Sequence, residues 1–197
     1  MHEEEVIDLE NEAPSTSKIL RDWIFVIVVA LGAAMLVRVF VLQQFYISGP
    51  SMETSLFQDD RVLVNKLSYR LHDVNRGDVI VFDRITTSGG IVEHDDLIKR
   101  VIAVGGDSIQ IKKCEVIVNG VEIDEPYLGA KVEGEDPHSR CRVADMPSLT
   151  VPDDQLFVMG DNRAESFDSR SFGTIPKKLV IGRAFAVVWP LGSLRWL

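Results

Sequence analysis

Three short segments hold residue types out of keeping with their surroundings. In ISGPSMETSL (47–56) a Gly-Pro turn presents Ser51, and apolar Met52 would tuck beneath it. In DDLIKRVIAVGGD (95–107) Lys99 stands inside the apolar run LIKRVIAV. On an alternating strand Leu97, Lys99 and Val101 would share one face. An ammonium on an apolar face is costly unless neutralised, and desolvation lowers its pKa. A fall of roughly 2–3 units from about 10.4 would make Lys99 a usable general base near neutral pH. In MGDNRAESFDSR (159–170) Asp, Asn, Arg and Ser crowd together. Taken singly, each segment has a plainer reading: a turn serine, a lysine that snorkels to solvent, a charged surface turn.

Other chemistry finds little support. The histidines are His2, His72, His94 and His138, without the H-x-x-x-H spacing of a metal site, so no metal and no cofactor are expected. His94 could serve a Ser-His-Asp triad, but among acids it reads as a solvated surface residue. Gly105-Gly106-Asp107 reads as a turn between strands rather than a phosphate cradle. Cys114 and Cys141 are too few for a four-thiolate site. They are read either as one structural bridge or as two buried thiols.

These segments need elements to hold them. The 197 residues are 46% hydrophobic and 26% charged, which excludes a disordered chain. The net charge of −9 argues against nucleic acid as a partner. A mean hydropathy of +0.08 is high for so many charges, so the apolar residues must be concentrated. Trp23–Val37 is an unbroken apolar or small run, and after Arg38 the run resumes to Leu42. As a helix, 23–42 would reach about 30 Å, one hydrocarbon thickness. It is apolar all round, and its exit offers no small-x-small cleavage site, so an uncleaved membrane anchor is expected. Lys18 and Arg21 flank its entrance, and no Lys or Arg follows the span until Arg61. The positive-inside rule then puts the N-terminus in the cytoplasm and the rest outside. Residues 1–22 hold seven acids against two bases and are expected to be a disordered cytoplasmic tail.

Residues 43–197 alternate with a period of two. Val62 and Val64, Ile109 and Ile111, and Val116 and Val118 mark strands, and Asn119-Gly120 marks a hairpin leading to Val121 and Ile123. GDVIVFD (77–83), DQLFVMGD (154–161) and GRAFAVVWP (182–190) read as short buried strands. The expected fold is a mainly antiparallel β domain, with 129–147 as an exposed excursion.

In this order, with the anchor, the segments resemble the type I signal peptidases, membrane-bound serine proteases with a Ser/Lys dyad. SGPSMETSL, RGDVIVF (76–82), IKRVIAVGGD (98–107), VNGVEIDEPYL (118–128) and GDNRAESFDSR (160–170) carry the resemblance. It implies Ser51 as nucleophile and Lys99 as general base, with no histidine required. It implies Ser166 as the hydroxyl holding the lysine amine, Asp168–Arg170 as a supporting salt bridge, and Asp161 with Arg100 as another. The oxyanion would take the Ser51 backbone N–H. Some members add a serine hydroxyl where this chain has Gly49, so the second donor is left open. Thr54 stands where the family has a proline, and its loss should loosen the turn. Phe45, Ile47, Met52, Leu56, Leu97 and Ile98 are expected to line shallow pockets for small residues at −1 and −3. The implied partners are preprotein signal peptides, bound extended along an open sheet edge, and the lipid bilayer. A specialised maturase for one exported protein stays open, as does a lapsed peptide-binding β domain. A self-cleaving repressor does not, because 1–22 are too short and acidic to bind DNA.

Overall fold

A computed structural model describes residues 16–129 and 141–197. The chain divides into two units between Val39 and Phe40. In the first, helix α1 spans Thr16–Phe40. Its apolar stretch, Thr16–Arg38, has a mean hydropathy of 2.1 and is buried nowhere along its length. Consecutive residues Trp23, Ile24, Phe25 and Val26 are all more than half exposed, so no single face is covered. The bounds differ from the expected 23–42 at both ends. Thr16–Asp22 are helical rather than part of a tail, because SKILRD contains no breaker and several good helix formers. At the other end Leu42 belongs to a strand, where it pairs with Asn65. The expected tail at 1–15 and the excursion at 130–140 lie outside the described residues.

The second unit is antiparallel β. Its strands are β1 (Leu42–Tyr46), β2 (Arg61–Asn65), β3 (Val79–Ser88), β4 (Ile91–Val104), β5 (Ser108–Lys112), β6 (Glu115–Val118), β7 (Val121–Glu122), β8 (Met146–Thr150), β9 (Gln155–Met159), β10 (Ile175–Pro176), β11 (Val180–Trp189) and β12 (Arg195–Trp196). Two single-turn helices, α2 (Ser68–Leu71) and α3 (Ser169–Phe172), interrupt them. The larger sheet runs β1-β2-β11-β3-β4-β9-β10, with β12 on β11, and the smaller runs β7-β6-β5-β8. Alternation explains what is buried: Val62 and Val64 on β2, Ile109 and Ile111 on β5, Val116 and Val118 on β6. Asn119 and Gly120 both have positive φ, 53° and 81°, as a two-residue hairpin turn requires.

Strand β4 sets the position of the lysine. It pairs with β3 from Ile91 to Arg100 and with β9 only from Arg100 to Val104. Lys99 therefore sits where a two-stranded ribbon enters the sheet, and the outer edge before it is open. Behind this junction Asp107 ties the chain together. It accepts from Arg76 Nε at 2.7 Å, from the Val104 amide at 2.9 Å and from Asn119 Nδ2 at 3.0 Å.

Of the two readings for the cysteines, the bridge is the one found: Cys114 and Cys141 are disulfide-bonded, Cα atoms 5.9 Å apart. The bridge returns the chain to the end of β5. Met146 and Pro147, expected within an excursion, instead open β8, whose Met146 pairs with Ile111.

Candidate active site

The Ser51 turn is a short 3-10 segment, Pro50–Met52, started by a proline whose fixed φ suits its first position. Met52 has no exposed surface and anchors it in the core. On β4 the side chain of Lys99 is 3% exposed. Its Nζ lies 2.7 Å from Ser51 Oγ and donates to the Ile98 carbonyl at 2.8 Å. Burial lowers the Lys99 pKa to about 8, although the charges of Asp168 and Asp161 pull it upward. A serine hydroxyl thus faces an amine that is neutral in an appreciable fraction of molecules at mildly alkaline pH.

The loop after β9 closes behind this pair. Asn162 N–H donates to the Ser51 carbonyl at 3.1 Å. Gly160 N–H donates to Asp168 Oδ2 at 3.0 Å. A Cβ on Gly160 would fall 2.2 Å from the Ser51 carbonyl oxygen and 2.3 Å from Ser166 Oγ. Only glycine fits there. Asp168 is fully buried, and Arg170 grips it through Nε at 2.8 Å and Nη2 at 2.7 Å. Burial alone would raise the Asp168 pKa. The Arg170 fork and the Gly160 amide outweigh it and hold the carboxyl below its usual range. Arg100 and Asp161 form a second fork at 2.9 and 2.6 Å, both largely buried. Arg100 also donates to the Gly77 carbonyl and to Ser55 Oγ, and its guanidinium lies 3.9 Å from the Tyr127 ring centre.

The family model for signal peptidase, peptidase S26, matches residues 20–189. The chain belongs to this family. It is 38% identical over 164 residues to a probable signal peptidase I-2 of Synechocystis, covering 83% of this chain and 71% of the relative. It is 33% identical to a signal peptidase I of Bacillus amyloliquefaciens, covering 94% of this chain and 97% of that one. The identity is also 33% to a signal peptidase IB of Staphylococcus aureus, over 91% and 94% of the two chains.

Several of the expected site residues play other parts than the resemblance implies. Ser166 is buried beside Gly160, but its Oγ has no hydrogen-bond partner among the described residues; the Ile98 carbonyl holds the amine instead. Met52 and Leu56 are 0% exposed and, with Ile47, belong to the core under β1 and β2, so they cannot line an accessible pocket. Phe45 and Ile98 pack against the same core while keeping some exposure. Leu97 packs into a different cluster, with Ile80 and Phe82, so it and Ile98 serve opposite faces of β4. Gly49 has ordinary extended φ, −139°, and open space where a side chain would stand.

Sequence reasoning missed a clamp. Arg163, assigned no role, forms a buried pair with Glu125, Nη1 to Oε2 at 2.9 Å, while its Nε donates to the Gly160 carbonyl at 3.0 Å. Thr54 Oγ1 donates to the Tyr127 carbonyl at 2.9 Å. Segment 125–127 thus buttresses both the nucleophile turn and the loop behind it. Its motif was visible in VNGVEIDEPYL, but its partners lie 38 and 73 residues away along the chain. Thr54 also departs from expectation. Its φ is +95°, in a turn closed by Ser55 N–H to the Met52 carbonyl, a geometry that proline cannot adopt.

Proposed function

We propose that this protein is a membrane-anchored serine endopeptidase that cuts signal peptides from exported preproteins, with Ser51 as nucleophile and Lys99 as general base. The 2.7 Å contact between Lys99 Nζ and Ser51 Oγ, inside a family-matched domain, carries the reading. Neutral Lys99 takes the Ser51 proton as Oγ attacks the scissile carbonyl, and the resulting ammonium protonates the leaving amine. The Ser51 N–H serves the developing oxyanion. Water, deprotonated by the same amine, then attacks the acyl carbon; the C–Oγ bond breaks, the ammonium returns the proton to Ser51 Oγ and the carboxylic acid product leaves. Ser166 stands beside the dyad, while Asp168–Arg170 and Asp161–Arg100 hold the surrounding loops.

The preprotein lies extended along the open outer edge of β4 before Arg100, with Phe45 and Ile98 among the residues that admit only small side chains at −1 and −3. Helix α1 crosses the bilayer, residues 1–15 lie in the cytoplasm, and the β domain lies outside. Lys18 and Arg21 before the span support that orientation, as does the disulfide, which persists in an oxidising compartment.

Purified full-length protein in detergent, given a preprotein, should release the mature protein cut at the signal-peptide boundary. Ser51→Ala and Lys99→Ala should each lower turnover by about a thousandfold or more with the β-rich circular dichroism intact. Cleavage by Ser51→Ala at the wild-type rate would overturn the assignment.

A further inference from the structure

On the face of the larger sheet where β2 ends and β11 begins, four cations surround a cleft of about 280 Å³: Lys66, Arg70, Lys177 and Lys178. Among the described residues no acidic side chain lines it. This clustering runs against the composition of the chain, whose acids outnumber its bases by 30 to 21. Arg70, Lys177 and Lys178 make no ion pair with another described residue, and Arg70 and Lys178 are exposed. The wall between the cations is the Tyr69 ring, pinned by its hydroxyl bond to Asp78, with Val180 and Ile181 beside it. Leu71, next to Arg70, is 81% exposed. Cations around an apolar wall, with a bare leucine adjoining, match the layer where phosphates meet glycerol and acyl chain.

The connectivity locates that layer. Helix α1 ends at Phe40, and the Lys66 amide donates to the carbonyl of Val41 at 2.9 Å. Lys66, which lines the cleft, is thus tied through its backbone to the chain that follows α1 in sequence. The nucleophile follows the opposite end of β1, so the cleft is separate from the dyad. We propose that this cleft binds the phosphate of an anionic phospholipid headgroup, orienting the β domain on the bilayer surface. The proposal rests on α1 spanning the membrane. Basic clusters flanking a span attract anionic lipid through the surface potential, and the attraction fades with salt.

The test uses the full-length chain in lipid nanodiscs, either of phosphatidylcholine alone or with about 30 mol % phosphatidylglycerol, read by hydrogen–deuterium exchange. The anionic discs should slow exchange in segments 66–71 and 177–181 by about fivefold or more, and about 1 M salt should reverse it. Lys177→Gln with Lys178→Gln, both away from the dyad, should abolish the slowing while leaving turnover in detergent unchanged. Incorporation with equal exchange in both discs would overturn the cleft's role alone. Slowing produced equally by inorganic phosphate added to phosphatidylcholine discs would also overturn it, assigning the cleft to a soluble ligand. A chain that fails to enter discs at all would overturn the membrane span, and this proposal with it.

Discussion

Lys99 must be buried to act as a base, and that burial acts against stability. With its folded pKa near 8 and an unfolded value near 10.4, the unfolded chain binds more protons between those limits, so stability should rise with pH across that window. Below pH 8 the folded protein bears the full penalty, about 3 kcal/mol. Lys99→Met should therefore abolish turnover yet gain about 1–3 kcal/mol at pH 7, less than the full amount because the amine's hydrogen bonds are lost. Denaturant titrations at pH 7 and above pH 10 check this, since the gain should shrink at the higher pH. A variant less stable at both would refute it. The same pKa sets the rate: kcat/KM should climb about tenfold per pH unit up to about 8 and then level, whereas an optimum near 5 would contradict a lysine base. Gly49 permits a second residue-scale expectation. Its missing side chain would face open space at an ordinary φ, so Gly49→Ser should change stability by less than about 0.5 kcal/mol. Its hydroxyl adds a side-chain donor beside the oxyanion, and kcat should rise by about tenfold. Unchanged kcat would mean that backbone or water already fills that position.

The two turns around the nucleophile behave as one element. Gly160 touches the Ser51 carbonyl on one side and, through Arg163, leans on Glu125 on the other. Gly160→Ala would drive a methyl into backbone, so kcat is expected to fall by about a hundredfold or more as the nucleophile shifts. Restoration of activity by a compensating Ser166→Ala would indicate that the side chain alone was in the way; the backbone contact predicts little rescue. Thr54, at φ +95°, inverts the expectation drawn from its family counterpart. Thr54→Pro should destabilise by about 2–4 kcal/mol, because φ near −65° cannot close this turn, while Thr54→Gly should be neutral or stabilising. Thermal melts of both variants decide it, and a more stable proline variant would disprove the turn geometry. These contacts also show where sequence reading stops. The β2, β5, β6 and hairpin positions were legible because burial on one face imposes a period of two. Ser51 and Lys99 stood out because their types disagree with their neighbours. Met52 and Leu56 were misplaced because an apolar pocket and an apolar core look alike in sequence. The Glu125–Arg163 pair was invisible because nothing local couples residues 38 apart. Strands β1 and β8 were hidden by an apolar run that seemed to continue the helix and by the charged composition of the sequence just before Met146.

At the scale of the molecule, the chain separates chemistry from location. A bare apolar helix is long enough to cross a bilayer, and among the described residues the three hydrophobic cores and two sheets all lie after Val39. The charge divides as well: residues 1–22 carry seven acids and two bases, so much of the −9 lies outside the β unit, and the basic cleft can stand on a domain that is only mildly acidic. Within that unit the smaller sheet shares a core with β4 and β9 through Ile102, Phe157 and Met159, the strands that position Lys99 and the Gly160 loop. The Cys114–Cys141 bridge closes a separation of 27 residues at the margin of this sheet. Loop-closure entropy assigns such a bridge about 3–4 kcal/mol. For a chain of this size each kcal/mol moves the melting temperature by about 2–4 °C, so Cys114→Ser with Cys141→Ser should lower it by about 6–15 °C. Besides the shared core, the Arg142 amide next to the bridge donates to the Arg163 carbonyl at 3.0 Å, but Glu125 and Arg170 still hold that loop below the new transition. At about 20 °C below it, kcat should stay within about twofold of wild type. Calorimetry and turnover on the same detergent-purified samples separate the two effects. Equal melting temperatures would mean that the bridge contributes nothing to the folded unit. A loss of turnover well below the transition would mean instead that the smaller sheet holds the catalytic loops directly.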